Sequence, residues 1–94
     1  MQEKISLILA IRNEEKTIKK TLDSIINNEF NKKNYEIIIV DGKSKDKTIE
    51  IVKHFKKKNS NIKLYENPKR IVASGLNIGI KKSNLEKYEK IKDE

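Results

Sequence analysis

Arg12, Asn13, Asp41, Ser44, Asp46, Lys69 and Arg70 are the residues of this chain whose types could do chemistry together. They fall in three short polar breaks, 11–15, 41–47 and 67–70, each following an apolar run. Asp41 closes its run, where a carboxylate can accept hydrogen bonds from a base or a ribose. Arg70 offers a planar fork that suits a diphosphate or a uracil-like carbonyl. Helix N-termini following the breaks would add backbone N–H donors for anions. A nucleotide diphosphate fits this set. A capped turn would select Asp41, Ser44 and Asp46 on its own account, so both readings stand for these three.

The elements between the breaks decide whether these residues meet. Lys4–Ile11 and Tyr35–Val40 are near-continuous aliphatic runs, the pattern of strands buried on both faces of a parallel sheet. Ile62–Glu66 is a third, shorter strand, broken by Asn67-Pro68. Ile18, Leu22, Ile25 and Ile26 mark one face of a helix that Asn13 would cap and that ends near Asn27. Ile49, Val52 and Phe55 mark a second helix, from Thr48 to about Lys57, capped by Ser44 or Asp46. Ala73, Leu76, Asn77 and Ile80 suggest a third. Alternating strands and helices predict an α/β fold: a parallel sheet with helices on both faces and right-handed crossovers. In such a sheet the loops leaving the strand C-termini share one edge, where ligands bind. The three breaks therefore converge, although they are far apart in sequence.

Composition narrows the function. The chain has 94 residues, enough for one small domain. Its net charge is +8, carried by lysine apart from Arg12 and Arg70. Nucleic-acid binding is disfavoured, because arginine clusters, stacking aromatics and Gly-rich segments are missing. A non-enzymatic basic module for nucleic acid or an anionic membrane surface is the alternative that the charge keeps open, and peripheral membrane contact needs only that charge. With no cysteine, disulfides, thiolate chemistry and Cys-ligated metals are excluded. The longest apolar run is too short to span a bilayer, which makes the cytoplasm, or the inner face of its membrane, the expected location. Gly42-Lys43-Ser44 lacks the earlier glycine of a P-loop, since Ile37 stands there. No Gly-x-Gly-x-x-Gly follows the first strand. His54, the single histidine, lies between charged residues and reads as a solvent-facing bystander.

The run Ile5–Glu15 resembles the opening strand and loop of family 2 glycosyltransferases. Tyr35–Thr48 resembles their second signature, an Asp-Gly followed by Ser, Asp and Thr at fixed spacing. Asn67-Pro68-Lys69-Arg70 through Ile80 is similar to the third block, in wording close to the exopolysaccharide-assembly subgroup. The likeness covers about residues 4–82.

That resemblance implies a partial GT-A fold and a nucleotide-diphosphate sugar as partner. It implies that Asp41 holds the donor base, with the backbone of Ala10, Ile11 and Arg12 lining the same pocket. Glu14 would lie beside the ribose, and Arg70 would contact the nucleotide. The family transfers the sugar to an acceptor hydroxyl, with a divalent cation (Mg or Mn) screening the pyrophosphate. Its ligands belong to an Asp-x-Asp motif, which these 94 residues do not contain. No catalytic or metal-binding residue is therefore assigned. The expectation is a nucleotide-binding part over residues 1–82 and a charged tail or marginal helix over 83–94. This part would be truncated and inactive alone, with self-association or a missing C-terminal half as further partners. Lys43 and Lys47 occupy positions where the family commonly has glycine or another small residue.

Overall fold

The computed structural model describes residues 5–27, 35–70 and 72–83. Three strands, β1 (Ile5–Ile11), β2 (Tyr35–Asp41) and β3 (Ile62–Glu66), alternate with three helices, α1 (Ile18–Ile26), α2 (Thr48–Lys58) and α3 (Val72–Lys82). The strands form one parallel sheet in the order β1-β2-β3. The central strand explains its own composition. Ile37, Ile38, Ile39 and Val40 are all fully buried, because β2 has a neighbour on each side and helices above and below.

One sheet face presents Leu7, Leu9, Ile37, Ile39 and Ile62 to Ile18 and Leu22 of α1 and Val52 of α2, in a single apolar cluster. Covering Leu22 or Ile37 completely stabilises the fold by roughly 1.5–3 kcal/mol per side chain. The other face carries α3, which packs on β1 and β2. Helices therefore cover both faces, as the alternation predicts.

Two elements differ from expectation. Helix α1 starts at Ile18, and Asn13 does not cap it. Asn13 has a φ of 51° and directs its side chain to another loop, so a tertiary partner overrides the local capping signal. Helix α3 faces the sheet with Gly75 and Gly79, while Leu76 and Asn77 are exposed. The aliphatic spacing therefore misidentifies its buried side. Only glycine permits so close an approach: a Cβ on Gly75 would lie 2.9 Å from the Ala10 Cβ, and one on Gly79 would overlap the Ile8 side chain. The division near residue 83 and the tail beyond it fall outside the described residues, apart from Ser83.

Candidate functional site

The sheet register brings the strand ends level. Ile11 pairs with Asp41, and Asp41 with Glu66. Hydrogen bonding runs one step past the strands, with the Gly42 amide on the Ile11 carbonyl at 2.8 Å and the Asn67 amide on the Asp41 carbonyl at 2.7 Å. All three loops consequently leave from one line. They meet at Gly42, where a Cβ would sit 3.3 Å from the Arg70 Cα, 3.4 Å from the Ile11 carbonyl oxygen and 3.5 Å from the Arg12 Cβ.

Two hydroxyls tie the first loop to the second. The Ser44 hydroxyl donates to Asp41 Oδ1 at 2.5 Å and accepts the Asn13 amide at 2.8 Å. The Thr48 hydroxyl donates to Asp46 Oδ1 and accepts the Glu14 amide at 2.8 Å. Asp46 Oδ2 takes the Glu15 amide at 3.2 Å, and Asn13 Oδ1 takes the Lys45 amide at 2.8 Å. The amides expected to greet an anion near α1 are thus already engaged. Arg12 closes the set, its Nε donating to the Gly42 carbonyl at 3.0 Å.

Electrostatics follow from this network. Desolvation raises the Asp46 carboxyl, but hydrogen bonds from the Thr48 hydroxyl, the Thr48 amide and the Glu15 amide outweigh it and hold the pKa below its ordinary value of 3.8. Asp46 Oδ1 also accepts the Thr48 amide at 2.9 Å, which satisfies the first N–H of α2, although the N-cap position itself is Lys47.

Each loop carries one non-glycine residue in the left-handed region: Asn13 at φ 51°, Lys43 at 60° and Arg70 at 63°. Asparagine tolerates this conformation, whereas lysine and arginine there cost roughly 1–2 kcal/mol each. Among the described residues no others do so, and all three lie on one edge. Glycine at position 43 would adopt that backbone without strain.

Arg12, Asp41 and Arg70 are brought together around Gly42. Asp41 is 3% exposed and its two oxygens hold Ser44, so its carboxylate is preorganised at the cost of reach. Ala10 and Ile11 contribute backbone only, since Ala10 lies under Gly75 and Ile11 packs in the core. Glu14 turns its carboxylate to the Thr17 hydroxyl at 2.7 Å, in its own turn.

A cavity of about 360 Å³ opens beside Asp41, lined also by Lys43, Ser44, Leu64, Tyr65 and Glu66. Arg12 and Arg70 lie outside its lining. Sequence reasoning missed Tyr65 and Glu66, although their place at the end of β3 was the available signal. It also missed Asn67, which is 2% exposed and binds both the Asp41 carbonyl and the Lys69 amide. A larger cavity, about 630 Å³, lies between α1 and α2, away from this edge. Among the described residues no group of three or more His, Cys, Asp or Glu side chains could hold a metal ion, and no helix is long and apolar enough to cross a membrane.

Known proteins resemble this chain in sequence and fold. The chain is 48% identical over 82 residues to a dolichyl N-acetyl-α-D-glucosaminyl phosphate 3-β-D-2,3-diacetamido-2,3-dideoxy-β-D-glucuronosyltransferase of Methanococcus voltae, covering 85% of this chain and 26% of that protein. It is 41% identical over 85 residues to a poly-β-1,6-N-acetyl-D-glucosamine synthase of Staphylococcus epidermidis, covering 89% and 20%. The crystal structure of S. aureus TarS 1–349 superposes with a TM-score of 0.80 at 28% identity, over 88% of this chain and 25% of that one. The same TarS fragment has been solved with UDP and with UDP-GlcNAc. The chain thus spans about a quarter or less of the relatives it matches, and its fold is that of GT-A transferases. The family model for glycosyl transferase family 2 matches residues 6–88, and the chain belongs to that family.

Proposed function

We propose that this chain binds the nucleotide of a sugar donor at the edge formed by Ala10–Arg12, Asp41 and Arg70. It would serve a transferase that passes the sugar to an acceptor hydroxyl in glycan or polysaccharide synthesis. The observation that supports this reading is the meeting of three loops at Gly42, which follows Asp41 in the chain and whose Cβ, if it had one, would stand 3.3 Å from the Arg70 Cα. The cavity beside Asp41 suits a base. Arg12 and Arg70 supply guanidinium groups for a diphosphate. Glu14 is a weaker assignment, because its carboxylate is engaged by Thr17. TarS, which shares the fold, takes UDP and UDP-GlcNAc, and that supports a uridine donor.

The divalent cation of the family does not fit the residues described here. Asp41 and Asp46 are each committed to a neighbouring hydroxyl, and no acidic cluster accompanies them. No step of transfer is therefore assigned to these side chains. Their part is to bind and orient the donor.

Calorimetry and thermal melting with UDP test the reading. UDP should raise the melting temperature by mass action. Arg70→Ala removes only an exposed side chain and should weaken UDP about tenfold or more. Unchanged UDP affinity in Arg70→Ala and in Asp41→Asn would remove the site from this edge.

A further inference from the structure

The outer surface of α1 and α2 has a charge pattern that donor binding does not use. Lys16, Lys19 and Lys20 are exposed at the spacing i, i+3, i+4 at the start of α1. Lys53, Lys56 and Lys57 repeat that spacing on α2. Within the two helices six lysines face two carboxylates, Asp23 and Glu50, and Asp23 is paired with Lys19 at 3.0 Å. Helix α3, on the opposite face, carries only Lys81 and Lys82.

Between the two lysine stripes runs the cleft of about 630 Å³, with Ile26, Ile51 and Phe55 among its walls, Lys47 and Lys58 at the α2 termini, and Asp23, Glu50 and His54 also lining it. Lysine stems can lie along such an apolar floor while their ammonium groups reach outward. A flat cationic surface with an apolar floor matches the boundary of an anionic bilayer, where phosphates meet the lysines and acyl chains meet the cleft. Nucleic acid is the poorer match. A phosphodiester backbone has no use for an apolar floor, and the two helices carry no arginine to read or clamp it.

We propose that this face of α1 and α2 docks the chain on an anionic membrane surface. Each lysine brought to such a surface strengthens partitioning about fivefold at moderate salt, and the attraction fades within a Debye length. Lys47, at one end of the cleft, adjoins Asp46 and Thr48 in the chain and so links the cleft to the loop that follows Asp41. Docking on this face would lay the sheet along the bilayer and open the edge that holds Asp41 sideways, within reach of membrane-borne acceptors. The proposal stands independently of donor binding, because it concerns a different surface and a different ligand.

Flotation of the full chain with vesicles tests it. Vesicles of phosphatidylcholine mixed with phosphatidylglycerol should carry the chain, with partitioning that falls as salt rises, and vesicles of phosphatidylcholine alone should not. Lys53→Glu with Lys57→Glu should weaken partitioning by about tenfold or more. Lys53→Gln with Lys57→Gln, which changes half the charge, should give about half the effect on a logarithmic scale. Lys81→Glu with Lys82→Glu should weaken it far less, and all variants should bind UDP as the parent does. Equal losses from the α2 and α3 pairs would overturn the proposal, as would equal binding to both vesicle types. Binding to RNA or duplex DNA that displaces the vesicles and tracks the α2 pair would overturn it in favour of nucleic acid.

Discussion

Gly42 lies directly against Arg70. A methyl group on Gly42 would come within 3.3 Å of the Arg70 Cα, and the Ile11 carbonyl closes the other side at 3.4 Å. Two loops distant in sequence thus share one space in which a methyl group is a tight fit. Gly42→Ala should push the third loop outward by a few tenths of an ångström, cost about 1 kcal/mol of stability and weaken UDP binding. Urea denaturation and calorimetry on the same variant would show both effects, and an unchanged UDP affinity would mean that UDP binding does not depend on the position of Arg70.

Thr48 bridges the first two loops while fully buried, so its hydroxyl cannot be replaced by water at no cost. Thr48→Val keeps the shape and strands the Glu14 amide without its acceptor. The expected loss is about 1–3 kcal/mol in chemical denaturation. Thr48→Ser should recover most of it, because the hydroxyl returns.

Asp46 makes the same junction pH-dependent. Its folded carboxyl titrates below the ordinary value of 3.8, held there by the Thr48 hydroxyl and amide and the Glu15 amide against an opposing desolvation. A group depressed on folding binds its proton more readily when unfolded. Its stabilisation is therefore complete above 3.8 and lost as pH falls through the lower folded value. Melting temperature followed on the acid side should fall less steeply in Asp46→Asn than in the parent.

Lys43 occupies a backbone conformation with φ 60° that glycine adopts freely. Lys43→Gly should stabilise the chain by about 0.5–1 kcal/mol, the relief of strain exceeding the added freedom of the unfolded chain. A rise in melting temperature would show it. A fall would mean that the Lys43 side chain stabilises the loop more than its backbone strains it.

Gly79 sets two preferences against each other. Alanine favours a helix over glycine by about 1 kcal/mol, yet a Cβ here overlaps the branched Ile8 side chain. Gly79→Ala should destabilise by about 1–3 kcal/mol, the packing term winning. In an Ile8→Ala background, which lacks the Cγ2 that the new Cβ would meet, Gly79→Ala should cost much less than in the parent.

Much of this molecule was legible from residue type and order. The limits of β3 and the apolar face of α1 agree with the structure, because a strand buried on two sides and a half-buried helix each impose a short-range period. The convergence of Asp41 and Arg70 also followed, since parallel strands must release their loops on one edge. Asn13 shows where such reasoning fails. Its side chain had a cap to make at short range and found a better acceptor role with Lys45, which no local spacing encodes.

The amino-acid sequence alone therefore determined the strands and helices, the α/β layering, the shared edge and the family resemblance, because each rests on periodicity or on local order. Tertiary structure alone decided what the edge residues do. It tied the Asn13 amide to Ser44 and the Glu14 amide to Thr48 across loops distant in sequence, and drew α3 down through Gly75 and Gly79 instead of through Leu76. The physical reason is common to all three: a hydrogen bond or close contact forms with whatever partner the fold brings nearest, and that partner is fixed by packing in three dimensions.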